Sequence, residues 1–166
     1  MINKIGIIGG GNLGMAIAEG LIQSGFINPG HILITRRSLD QLNALERKGV
    51  MVSSNNEDAL NYAGLIVLAV KPFQVGEVLS KLKDHFKNGK HVLVSVVTGV
   101  SIQQLSALIP DHIPIVRAMP NTAIAIRESM TCLSTRNVGP EQFQERYLTE
   151  ISKIKVLVEK AGIPRN

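Results

Sequence analysis

Short apolar runs alternate with helix-period segments along most of this 166-residue chain, and that rhythm limits the fold more than any other feature. It calls for parallel strands joined by crossover helices. Strands are expected at residues 5–8, 32–35, 50–53, 65–70, 92–97 and 115–118. The run LIVLAV at 65–70 has no polar alternation, as suits a central strand covered on both faces. Leu13, Ile17 and Leu21 recur every four residues and predict a helix that stops near Gly25. Ser38-Leu39-Asp40-Gln41 and Ser101-Ile102-Gln103-Gln104 have the form of capping boxes, each opening a helix. A short helix is expected at 56–62, and Val75, Val78, Leu79, Leu82 and Phe86 predict another that ends at Asn88-Gly89. Six strands with right-handed crossovers make an α/β fold: an open, doubly wound, Rossmann-type and mostly parallel sheet with flanking helices.

Where the first strand meets the first helix, Gly9, Gly11 and Gly14 spell G-x-G-x-x-G, with Gly10 between the first two. In that setting the first glycine permits a tight turn and the second lets a pyrophosphate approach the backbone. The third lets the helix lie close to the sheet. The unpaired N–H groups and positive dipole end of the helix then face the phosphates. A glycine turn that serves packing alone would not need three glycines at this spacing. A P-loop is unsupported, because no Gly-Lys-Ser/Thr follows.

The end of the second strand chooses between cofactors. A site for NAD wants a carboxylate there to accept from the ribose 2′-hydroxyl, but this chain has Thr35-Arg36-Arg37-Ser38. Guanidinium forks and a hydroxyl suit a 2′-phosphate, so NADPH/NADP is expected to bind more tightly than NADH. The alternative is that Arg36 and Arg37 are solvated loop charges.

Ligands of such sheets sit beyond the carboxyl ends of the strands. There the sequence places Ala69-Val70-Lys71-Pro72, then Val96-Val97-Thr98 before Gly99, then Met119-Pro120-Asn121-Thr122. Lys71 is either an arm for an anionic ligand or an exposed terminal charge. Met119–Thr122 is either an ordinary turn or a wall beside the nicotinamide, apolar through Met119 and Pro120, polar through Asn121 and Thr122.

Other chemistries find little footing. Net charge is +5, but the 18 basic residues are scattered among 13 acidic ones and few aromatics are present, which argues against nucleic acid. No apolar run approaches the roughly 18–20 residues needed to span a bilayer. His31, His85, His91 and His112 lack metal-ligand spacing, so no metal is expected. Cys132 is the single cysteine and has no evident base partner, which suits a small packing residue in a reducing cytoplasm. No G-x-S-x-G elbow is present.

Taken in order, IGGGNLG, TRRS, Asn56, LAVKP, SVVTGVSI and IVRAMPNTAIAIRESMTCLS resemble the pyrroline-5-carboxylate reductases over about residues 2–135. The last of these is the most specific, since generic dinucleotide-binding folds do not demand it. The resemblance implies NADPH-dependent reduction of a small cyclic imine to proline, and thus a place in proline biosynthesis. It implies that Gly9, Gly10, Gly11, Asn12, Leu13 and Gly14 hold the pyrophosphate. Arg37 and Ser38, with Arg36 nearby, take the 2′-phosphate, and Asn56 faces the adenosine side. Ala69, Val70, Lys71, Pro72, Val96, Val97 and Thr98 line the nicotinamide half, while Met119, Pro120, Asn121 and Thr122 border the substrate. No catalytic residue is identified. A protonated imine is already electrophilic, so a site poor in acid–base groups suffices.

The chain departs from the family at Ala123, where proline is usual, and at Ser129, where glycine is usual. Family members carry a second, helical domain that forms a homo-oligomer and binds the substrate carboxylate, and this chain is expected to end before it. Residues 1–138 are then the NADP-binding domain. Residues 139–166, with Pro140 opening a segment that lines up Phe143, Tyr147, Ile151, Ile154 and Val158, form a helical tail that matches the family poorly. The isolated chain is expected to reduce little imine. The alternatives are an NADP-binding module without catalysis, or a related imine or hydroxy-acid reductase.

Overall fold

The computed structural model describes residues 4–120 and 131–137. Seven strands form one sheet: β1 (Ile5–Ile8), β2 (Ile32–Thr35), β3 (Met51–Ser53), β4 (Leu65–Leu68), β5 (Val92–Ser95), β6 (Ile115–Pro120) and β7 (Thr131–Arg136). Their spatial order is β3-β2-β1-β4-β5-β6-β7. The first six are parallel, and β7 runs antiparallel to β6. The doubly wound reading stands. The seventh strand is an addition to it, in a stretch where short polar residues leave no apolar pattern.

Helices α1 (Asn12–Gln23), α2 (Asn43–Glu46), α3 (Glu57–Tyr62), α4 (Val75–Leu82) and α5 (Ile102–Leu108) cover the sheet. Two apolar cores result. One joins Ile17 and Leu21 of α1 and Leu45 of α2 to Ile5, Ile7, Ile34 and Val67 of the strands. The other joins Ala59 of α3, Leu79 of α4 and Leu105 of α5 to Ile8, Leu33, Ile66 and Leu93. Alternate residues of β4 enter opposite cores, and all four are buried. Gly6 lets α3 sit directly on β1, because a Cβ there would lie 2.9 Å from the Ala59 carbonyl oxygen.

Several boundaries differ from expectation. β4 and β5 stop at Leu68 and Ser95, two residues early. β6 continues two residues further, to Pro120. The box at Ser101 forms, with Ser101 N–H donating to Gln104 Oε1 (2.8 Å) and Gln104 N–H to Ser101 Oγ (3.2 Å). The box at Ser38 does not. Leu39–Leu42 winds as a 3-10 turn with no side-chain cap, and α2 is a single α-helical turn after it. α4 ends at Leu82 and tightens to 3-10 geometry over Lys83–His85. No described helix is long and apolar enough to cross a membrane.

Register brings the carboxyl ends of the strands almost flush. Ile8 pairs with both Thr35 and Leu68, Thr35 with Ser53, Leu68 with Ser95, and Ser95 with Arg117. The chain turns away from β1 toward β2 on one side, while β4 arrives on the other. A crevice for a ligand opens at such a reversal.

Candidate functional site

The glycine turn occupies that reversal. Gly9 has φ +108°, a conformation costly for any residue with a side chain. A Cβ on Gly9 would also fall 2.6 Å from the Ala69 carbonyl oxygen, so the turn lies directly against the end of β4. The N–H groups of Gly9 and Gly10 both donate to the Thr35 carbonyl (3.2 and 2.7 Å), and Ala69 N–H donates to Ile8 O (2.8 Å). The turn is thereby tied to β2 and to β4.

Gly14 packs against the turn itself rather than chiefly against the sheet. Its Cβ would fall 2.0 Å from the Gly9 carbonyl oxygen, and Ile7 comes next at 3.4 Å. Gly11 is different, since nothing lies within 4 Å of the place its Cβ would take. That open volume faces the start of α1. Gly11 caps α1 without a side-chain hydrogen bond, and its first turn holds no acidic residue. The first N–H groups of a helix have no partner within it, so the positive end of α1 is left for an anion. Asn12 is exposed and Leu13 half-buried at this end.

The two arginines after β2 divide. Arg36 is half-buried. Its backbone N–H donates to Ser53 O (3.0 Å), and its Nη1 donates to the Gly10 carbonyl. It braces the turn, a role the TRRS spacing did not reveal. Arg37 and Ser38 are exposed beside it. The Glu77 carboxyl on α4 is held below the usual carboxylate range, first by the hydrogen bond and charge of Lys81, and further by Arg37.

Asn56 stands just before α3, and its Oδ1 accepts from the buried Thr35 hydroxyl at 2.5 Å. The Thr35 hydroxyl thus fixes the Asn56 side chain, a contact the TRRS spacing did not reveal. The signal was a hydroxyl at the last, fully buried position of an otherwise aliphatic strand.

Beyond β4, Ala69 and Val70 are half-buried, while Lys71 and Pro72 are exposed at the start of the 3-10 turn Pro72–Gln74. Beyond β5, Val96 and Val97 send their side chains into the two cores, one each, and only Thr98 is exposed. These valines have only backbone groups to offer a ligand. Met119 and Pro120 end β6, whereas Asn121 and Thr122 lie outside the described residues, as does the 139–166 tail. Cys132 pairs with Met119 across β6 and β7. Among the described residues, no three His, Cys, Asp or Glu side chains converge as metal ligands would.

Comparisons with known proteins agree on one relationship. Residues 4–99 match the family model described as NADP oxidoreductase, coenzyme F420-dependent. The chain is 41% identical over 140 residues to pyrroline-5-carboxylate reductase 2 of Dictyostelium discoideum, a match covering 82% of this chain and 46% of that protein. It is 34% identical over 160 residues to pyrroline-5-carboxylate reductase 3 of Danio rerio, covering 96% and 53%. Among solved structures, a pyrroline-5-carboxylate reductase from Coxiella burnetii superposes with a TM-score of 0.80 at 32% identity, over 99% of this chain and 57% of that one. The chain thus spans about half the length of the curated relatives it matches.

Proposed function

Since the chain belongs to the family described as NADP oxidoreductase, coenzyme F420-dependent, we propose that it is the cofactor-binding half of a pyrroline-5-carboxylate reductase. The observation that carries this reading is the braced glycine turn at the open, uncapped start of α1. Gly9, Gly10, Gly11, Asn12, Leu13 and Gly14 hold the pyrophosphate through backbone N–H groups. Arg37 and Ser38 take the 2′-phosphate, Arg36 secures the turn, and Asn56, aimed by Thr35, meets the adenosine ribose. Ala69, Val70, Lys71 and Pro72 with Thr98 line the path toward the nicotinamide. Met119 and Pro120, followed by Asn121 and Thr122, border the substrate.

Bound NADPH supplies the hydride, and the acceptor is the carbon of a protonated cyclic imine, which becomes the amine of proline. The chain's own residues orient the nucleotide over the strand ends and exclude water. The resemblance gives homo-oligomer formation and the hold on the substrate carboxylate to a helical domain of the family, and this chain spans about half the length of its relatives. Residues 1–138 are the nucleotide-binding domain, and the lone Cys132 suits a reducing cytoplasm.

Calorimetric titration of this chain with NADPH and NADH tests the reading, alongside an assay of NADPH oxidation by 1-pyrroline-5-carboxylate. Tight NADPH binding, weaker NADH binding and little turnover are expected. Equal affinities would refute the assignment of Arg37 and Ser38. Robust turnover by these 166 residues alone would refute the division of labour.

A further inference from the structure

Phe73 is 79% exposed, and among the described residues Met51 is the other large hydrophobic left in water. Burying a phenylalanine is worth about 1.5–3 kcal/mol, so leaving one out contributes nothing to folding. The backbone beneath it is nonetheless held firmly. Pro72 fixes the start of the turn, Gln74 N–H donates to Lys71 O (2.9 Å), and Lys71 N–H donates to Gln74 Oε1 (3.2 Å). An aromatic ring presented to solvent on a rigid turn, just past β4, borders the nucleotide crevice.

Which half of the nucleotide it meets follows from what stands opposite. Thr35 of β2 and Leu68 of β4 both pair with Ile8 of β1, so the segments that carry Arg37 and Phe73 leave the same edge of the sheet on either side of the glycine turn. The turn that carries Phe73 and the Arg37–Ser38 segment are therefore the two lips of the same mouth. The adenine shares a ribose with the 2′-phosphate assigned to Arg37. Lys71 Nζ, 5.9 Å from the Phe73 ring centroid, adds a cation over the ring.

We propose that Phe73 is the stacking platform for the adenine ring, opposite Arg37; this rests on the reading of the site as an NADP cradle. The ring closes over the adenosine half as the nucleotide enters, and the exposed apolar face is covered by the base. Base–aromatic stacking is worth about 1–3 kcal/mol, which is roughly a 5- to 150-fold change in affinity.

The chain contains no tryptophan, so Phe73→Trp places a unique fluorophore at this position. Adenosine 2′,5′-bisphosphate, which carries the base and the 2′-phosphate but no nicotinamide, is expected to quench that emission saturably. Phe73→Ala is expected to weaken adenosine 2′,5′-bisphosphate and NADPH alike by about tenfold, with reduced nicotinamide mononucleotide and the melting temperature unchanged. Unaltered affinities in Phe73→Ala would overturn the proposal, as would indole emission in Phe73→Trp that stays constant while NADPH still binds. Equal losses for NADPH and the nicotinamide mononucleotide would overturn it too, by placing Phe73 at the other end of the cofactor. A change confined to oligomeric state would assign the ring to a protein contact and overturn it likewise. Failure of the wild-type chain to bind NADPH would instead remove the cradle reading, and the stacking platform with it.

Discussion

Two adjacent arginines should fail in different ways. Arg37 is exposed, whereas Arg36 spends Nη1 on the Gly10 carbonyl and its backbone N–H on Ser53. A hydrogen bond to a charged group contributes about 1.5–3 kcal/mol, and an exposed one lies toward the lower end. Arg37→Ala is therefore expected to weaken NADPH by about 10- to 30-fold. NADH lacks the 2′-phosphate and should bind the variant as it binds the wild type. Added salt should shrink the NADPH advantage of the wild type, since the contact is solvent-exposed and screened. Arg36→Ala removes a brace from the turn instead. It should weaken NADPH and NADH by a similar factor and lower the melting temperature. Titration calorimetry of both variants with both nucleotides, at one ionic strength, separates these patterns. An equal loss for the two nucleotides in Arg37→Ala, or an NADPH-specific loss in Arg36→Ala, would refute the division of roles.

The glycines offer a second pair. Gly11→Ala should leave the melting temperature within about a degree while abolishing detectable NADPH binding, because its Cβ enters open space that the proposed reading gives to the pyrophosphate. Gly14→Ala should lose binding and also about 1–3 kcal/mol of stability by urea denaturation, because the Gly9 carbonyl must move to admit the methyl. The third case is His91. It is buried, with Nδ1 accepting from Lys87 N–H (2.8 Å) and Nε2 facing Leu60 O (2.9 Å). Burial holds it below the ordinary histidine range of about 6.5, the Leu60 carbonyl opposes that shift, and the Lys90 and Lys87 charges add to it. The unfolded chain then binds the proton first, so stability present above pH 6.5 should fall with acidification. The slope is at most about 1.4 kcal/mol per pH unit until the folded-state value is passed. His91→Leu should flatten that slope in denaturation midpoints measured from pH 7.5 to 5, and an unchanged slope would exclude the histidine as its source.

What the sequence displayed and what it hid follow from where the determining interactions lie. β4 was legible because both its faces are buried, so every position had to be apolar. The turn was legible because close backbone approaches at Gly9 and Gly14 admit no side chain. β7 was not, since Thr131–Arg136 is held by its pairing with β6, and Ser134 and Thr135 are exposed. The Ser38 box has the right residues, yet the chain there tightens into a 3-10 turn that puts Leu42 in the core. The division between Arg36 and Arg37 was likewise invisible. It depends on the Gly10 carbonyl, 26 residues away in sequence.

On the proposed reading these anchors bear on catalysis as well as on binding. The Thr35 carbonyl, the end of β4 and the Arg36 guanidinium hold the turn on three sides. A turn fixed before the nucleotide arrives need not be ordered by it, so less of the contact energy is lost to conformational entropy. Hydride transfer to an electrophilic imine asks chiefly for alignment. On the proposed reading, a braced turn serves a reaction in which positioning does most of what catalysis requires. The Thr35 hydroxyl extends the same logic to Asn56, whose side chain it holds from a fully buried position that solvent cannot compete for.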